Sequence, residues 1–298
     1  MKAVPMHDFL GWVTDQNSDM LFSLGRLETR QLQRRLGEVT VDRPIFVTGL
    51  ARAGTTILLE LLAESQGVAT YRYMDFPLVM IPYWWGAFLR RNHSDDEAVE
   101  RSHGDGIEVT PESPEAMEEI LWMHFFPSAH DPSVSNVMGR DHSAPAFESF
   151  YENTLRKVLL LHGADRYLAK NNYNVARLGY LKKLFPDARF VIPVRDPVWH
   201  IASLMKQHRL LSEEERKDER ILKYMRRSGH YEFGLDRRPL NLGSAEVTRQ
   251  IQSLWNEGHE VGGWALYWQT LHTVLADQLE QDADIAAATC IVPYRGLC

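Results

Sequence analysis

Residues 44–62, PIFVTGLARAGTTILLELL, restrict the possible folds more than any other stretch of the chain. Residues 45–48 have the apolar, β-branched character of a short buried strand. Residues 49–54 form a loop bounded by Gly49 and Gly54, and a helix is expected to begin at Thr55–Thr56. A strand, a glycine loop and a helix in that order aim loop N–H groups and the positive helix end at one anion. The Gly49-to-Gly54 spacing is that of a Walker-type loop, yet Thr55 stands where ATP-using members carry the lysine that reaches the β- and γ-phosphates. Arg52 is the one cation inside the loop. The chain is therefore expected to cradle a phosphate without clamping a γ-phosphate. An ordinary βα turn with two glycines shares the spacing, so the rest of the chain must decide.

Further strand candidates are residues 68–73, residues 166–169 ending at Lys170, residues 189–194 ending at Arg195, and residues 289–294. Pro293 makes the last unfit for a central position. Helical periodicity or start signals mark residues 7–36, a segment starting at Ser113–Pro114, and residues 146–162 and 175–185. They also mark a helix from Asp196–Pro197 to about residue 211, a charged, exposed helix over 211–227, and one long helix over 247–279. This alternation argues for one α/β domain over 1–298, with residues 1–40 as a helical extension. Its core is expected to be a three-layer fold, a mostly parallel sheet with helices on both faces. Ligands of such sheets sit at the carboxyl ends of the strands. Residues 49–54, Asp75, Lys170 and Arg195 all fall at or just past such ends.

Composition removes several alternatives. With 33 Lys and Arg against 40 Asp and Glu the net charge is -7, and no basic run is present. That disfavours a nucleic-acid partner. Two cysteines, Cys290 and Cys298, imply no disulfide framework and fit a reducing compartment. The N-terminal residues lack the apolar core of a secretion signal, and the most apolar run, residues 76–89, contains Pro77 and Pro82 and is too short to span a bilayer. A cytoplasmic location without a membrane partner is the expectation. Oligomeric state is not legible.

The string GLARAGTT, residues 49–56, resembles the 5′-phosphosulfate loop of sulfotransferases, which use 3′-phosphoadenosine 5′-phosphosulfate (PAPS). Ala51 and Ala53 stand where Pro and Ser are commoner in that family. A second segment, FVIPVRDPVWHIASL, resembles the family's 3′-phosphate site, where an arginine at a strand end and a serine at this spacing grip the phosphate. The run from Lys170 to Pro197 resembles the matching region of tyrosylprotein and bacterial sulfotransferases. The resemblance implies a P-loop-like fold and PAPS as co-substrate, with no metal. It assigns Arg52, Ala53, Gly54, Thr55 and Thr56 to the phosphosulfate, and Arg195 and Ser203 to the 3′-phosphate.

Sulfuryl transfer builds negative charge on the leaving phosphate, where a cation lowers the barrier most. Arg52 and Lys170 are the candidates. An acceptor hydroxyl must also lose a proton, so a carboxylate or histidine must lie within reach. Asp75 falls near where the family keeps a glutamate. His103, in the polar loop of residues 92–106, is the rival, and Glu112, Glu118 and Glu119 are further candidates. Trp84, Trp85 and the loop of residues 231–242 are candidates for an acceptor pocket. The implied reaction is in-line transfer of a sulfuryl group to a hydroxyl or amine of a small-molecule or peptide acceptor. Two alternatives stay open. One is a P-loop nucleotide kinase. The other is an inactive nucleotide-binding module, which the stop at Cys298, before the family's usual closing segments, would fit.

Overall fold

The computed structural model describes residues 17–91, 99–100 and 108–297; His103 and Cys298 lie outside the described residues. A long helix, α1 (Ser18–Leu36), leads into β1 (Ile45–Val47), α2 (Thr55–Ala63) and a two-residue β2 (Val68–Ala69). Then come α3 (Pro82–Arg91), the antiparallel pair β3 (Val99–Glu100) and β4 (Glu108–Val109), α4 (Glu119–Phe125) and α5 (Pro145–His162). The chain continues through β5 (Arg166–Lys170), α6 (Leu178–Leu184), β6 (Arg189–Val194), α7 (Pro197–Lys217) and α8 (Glu219–Ser228). It closes with α9 (Ala245–Asn256), α10 (Glu260–Gln281), α11 (Ala283–Ala288) and β7 (Thr289–Pro293).

The main sheet has the order β2-β5-β1-β6-β7, and every pairing in it is parallel. Side-chain alternation builds the three layers. Ile45 and Val47 of β1 and Leu168 of β5 pack against Leu58 and Leu59 of α2. The intervening Phe46, Tyr167, Ala169, Phe190 and Ile192 point into the larger core on the opposite face, shared with Tyr151, Leu155 and Val158 of α5 and Leu181 of α6. β7 is an edge strand, which explains why Pro293 is tolerated there. From β1 the chain leaves toward β2, whereas from β6 it leaves toward β7 on the other side. The carboxyl ends of β1 and β6 therefore flank a crevice of the kind in which α/β sheets bind ligands. No helix among the described residues is long and apolar enough to cross a membrane.

Several expected elements are redrawn. The strand predicted over 68–73 stops at Ala69, and Tyr73–Asp75 is a 3₁₀ turn. The Asp75 carboxylate accepts the Arg72 N–H at 2.7 Å and closes that turn. Ser113 and Pro114 do not start a helix. Their segment runs beside residues 71–74, with Tyr73 N–H donating to the Ser113 carbonyl and Glu115 N–H to that of Tyr71, and α4 begins only at Glu119. The long helix expected over 247–279 is broken by Gly258, whose φ is +82°. The charged helix over 211–227 is two elements joined at Asp218, and it buries Leu211, Ser212, Glu215 and Met225 rather than lying free in solvent.

Candidate active site

β1 ends under the glycine loop. Gly49 and Gly54 have φ of +131° and +105°, and Arg52 itself has φ +68°. A run of left-handed residues turns successive N–H groups to one side, the geometry that makes a concave anion nest. Gly54 is the N-cap of α2, no side chain caps that helix, and its first turn holds no acid. The positive helix end is thus left for an anion.

The loop is held from below. His200, fully buried on α7, contacts the Ala51 carbonyl through Nε2 at 2.8 Å and accepts the Trp268 indole N–H at Nδ1, 3.2 Å away. Burial pushes its pKa down to about 4, with the Ala51 contact opposing. The ring is therefore neutral, with its proton on Nε2. Arg195, past the end of β6, donates to the Arg52 carbonyl at 3.3 Å and lies 4.4 Å over the Tyr294 ring.

Register places the other groups. Val47 is level with Lys170 of β5 and with Val191 of β6, so both neighbouring strands end beside the loop. The cleft above them is lined by Arg52, Gly54, Thr55, Thr56, Lys170 and Arg195, joined by Asn172, His230, Glu232, Phe233 and Tyr294. Its cavity volume is about 130 Å³, below the roughly 300–1,000 Å³ usual for sites that bury a drug-sized ligand. Among the described residues three basic side chains, Arg52, Lys170 and Arg195, share its lining with one carboxylate, Glu232. An acidic chain has here gathered positive charge at one place.

Asn172 ties the loop to that carboxylate. Its Oδ1 accepts from Thr55 Oγ1 at 3.4 Å, and its Nδ2 donates to Glu232 Oε1 at 2.8 Å. Glu232 Oε2 lies 3.7 Å from His230 Nδ1. Burial pushes the Glu232 pKa up, but the neighbouring His230 ring and the Asn172 amide outweigh it and bring it to about 2. Beneath the cleft, Glu115 is ionised for a related reason. Burial raises its pKa, and the charge of Lys170, helped by the bonds from the Ala116 N–H and the Tyr73 hydroxyl, pulls it to about 2.

Of the residues predicted from sequence, the structure brings Arg52, Gly54, Thr55, Thr56, Lys170 and Arg195 together in one cleft. Ala53 is fully buried behind the loop, and Ser203 is half-buried on α7 outside the lining. Asp75 is buried and outside the lining, and burial lifts its pKa to about 6 against the opposing Arg72 N–H and the Arg72 and Arg90 charges. Glu112 pairs with Arg72. Glu118 accepts the Tyr151 and Tyr167 hydroxyls at 2.6 and 2.9 Å. Glu119 takes a two-pronged bond from Arg177 at 2.7 and 2.8 Å and another from Asn171 at 2.7 Å. These last two carboxylates brace the scaffold under β5. Trp84 and Trp85 are also outside the lining; the Trp85 indole donates to the Met74 carbonyl at 2.8 Å.

Sequence reasoning missed Asn172, His230, Glu232 and Tyr294. One usable signal was Gly229, whose φ of +78° ends α8 and releases His230 into the cleft. Glu232 and Phe233 do lie in the 231–242 loop singled out for the acceptor.

This glycine-loop cleft at the ends of a parallel sheet is accompanied by a family match. The model of the sulfotransferase family matches residues 44–234, and the chain belongs to that family. Two relatives, from Mycobacterium bovis and Mycobacterium tuberculosis, are named omega-hydroxy-beta-dihydromenaquinone-9 sulfotransferase Stf3. Each is 26% identical over 193 residues, which cover 60% of this chain and 48% of the relative. The chain thus spans about half the length of the curated relatives it matches. Among solved structures, sulfotransferase STF1 from Mycobacterium tuberculosis superposes with a TM-score of 0.50 at 16% identity, over 92% of this chain and 68% of that one. That likeness supports the fold.

Proposed function

We propose that the protein transfers the sulfuryl group of PAPS to a hydroxyl or amine of a small-molecule acceptor. The observation that carries this reading is the cleft at the ends of β1, β5 and β6. An uncapped helix N-terminus and three cations converge there, with Thr55 where an ATP-using loop needs lysine. In this reading the loop from Arg52 to Thr56, with Ala53 as its buried support, holds the 5′-phosphosulfate. Arg195 and Ser203 hold the 3′-phosphate, which would bring Ser203 to face the ligand on its binding. Arg52 and Lys170 offset the charge that grows on the leaving phosphate. Leu211, Met225 and Phe233 give one wall of the cleft an apolar surface on which an acceptor's carbon skeleton would rest. The Stf3 relatives are named for omega-hydroxy-beta-dihydromenaquinone-9, and a hydroxylated hydrophobic molecule is the first acceptor class to try.

Calorimetry with 3′-phosphoadenosine 5′-phosphate (PAP) and with ATP plus Mg²⁺ tests the donor. Tight PAP binding with little response to ATP is expected. The reverse order would return the protein to the nucleotide kinases.

A further inference from the structure

We propose that His230 is the general base that takes the acceptor's proton, with Glu232 orienting it and Asn172 registering both against the donor loop. The proposal rests on the sulfuryl-transfer reading above. It starts from position. Among the described titratable side chains, His230 and Glu232 share the cleft with Lys170 and the glycine loop, whereas Asp75 is committed to closing its own turn.

A proton acceptor needs a reachable basic atom and something to stabilise its charged form. Both groups are nearly buried, with side-chain exposures of 15% for His230 and 14% for Glu232. Glu232 Oε2 faces His230 Nδ1 at 3.7 Å, longer than a hydrogen bond, as catalytic contacts often are before substrate closes the site. A proton held on Nδ1 toward this carboxylate leaves Nε2 as the acceptor. Glu232 is in turn fixed through Oε1 by the Asn172 amide, whose other end meets Thr55 at the start of α2. Thr55, Asn172, Glu232 and His230 form one chain from the phosphate-binding helix to the base. Donor seated on that helix and a base held by the same amide are thereby kept at a fixed separation, as an in-line attack requires. The third element is charge. Among the described residues, His230 shares this region with Glu232 in its own loop, Glu115 ahead of α4, and the cleft's basic side chains Lys170, Arg52 and Arg195. The two carboxylates favour the imidazolium that forms, while the cations favour the departing phosphate.

The step balances as follows in atoms. The acceptor oxygen forms a bond to sulfur as its proton passes to Nε2 of His230. The bond from sulfur to the bridging oxygen breaks, and its electron pair leaves on the 5′-phosphate of PAP.

The test uses the full chain and ³⁵S-labelled PAPS with a panel of phenols, long-chain alcohols, sugars and water as acceptors. PAP release and labelled product are both counted, and PAP affinity is measured separately. His230→Gln should lower turnover by about 10²–10⁴-fold while PAP affinity stays within about threefold. Glu232→Gln should keep part of the turnover. It should also move the acidic limb of the pH profile to lower pH, because the imidazolium loses its counter-charge. A merely structural loss would not move that limb. Turnover of His230→Gln within about threefold of the parent overturns the assignment, as does an Asp75→Asn variant that alone loses turnover. If the parent protein fails to bind PAP, the donor reading falls first. If it binds PAP and releases none from PAPS with any acceptor, the base assignment falls too.

Discussion

Glu118 should make the protein lose stability as pH rises from about 4.5 toward neutrality. Its side chain is 1% exposed and accepts two phenol hydroxyls, from Tyr151 and Tyr167, on the same oxygen. Burial dominates and raises its pKa to about 7 from the ordinary 4.5, although the two tyrosine hydroxyls and the nearby Asn174 amide pull the other way. Below 4.5 the carboxyl is protonated in both folded and unfolded chains, and its contribution is fully present. Between 4.5 and 7 the unfolded chain ionises while the folded one keeps the proton, so folding becomes progressively less favourable. At about 1.4 kcal/mol per pH unit the total is about 3 kcal/mol, or a melting-temperature change on the order of 5 °C for a chain of this size. Glu118→Gln keeps an acceptor oxygen for the two tyrosines and cannot ionise. Denaturant melts of both proteins from pH 4.5 to 8 should show the variant gaining on the parent by about 3 kcal/mol. Curves that stay parallel across that range would show that Glu118 does not hold its proton in the fold.

The remaining predictions concern the donor cleft. Arg195→Ala should weaken PAP far more than adenosine 5′-phosphosulfate, since only PAP carries a 3′-phosphate; equal losses by calorimetry would remove that assignment. Lys170→Met should lower turnover by about 10²–10³-fold with PAP affinity changed much less, and a loss confined to PAP affinity would make Lys170 a binding residue only.

Much of the fold was legible because it follows from local periodicity and glycine placement. The 45–62 unit and the strands ending at Lys170 and Arg195 are dictated by apolar runs closed by a polar or glycine break. The errors have a common physical origin. Residues 70–73 have strand composition, but the Asp75 carboxylate just beyond them offers the Arg72 N–H a local partner and ends the strand early. Ser113 and Pro114 carry helix-start chemistry, yet their backbone is claimed by residues 71–74 from another part of the chain. That Arg52, Thr55, Lys170 and Arg195 would share one cleft was legible for the same reason as the fold, since they sit on one loop and two strand ends. The side of the cleft formed by His230 and Glu232 was not. His230 and Glu232 follow α8 by the turn at Gly229, and Glu232 meets Asn172 across 60 residues, a proximity that no spacing encodes.

The most direct test of the central claim is transfer of ³⁵S from PAPS by the purified protein to an added hydroxyl compound. The account predicts labelled ester in amounts that match PAP release, with no requirement for ATP. PAP binding without any transfer across the acceptor panel would contradict it and leave a nucleotide-binding module. Phosphate transfer from ATP in the same assay would contradict it outright.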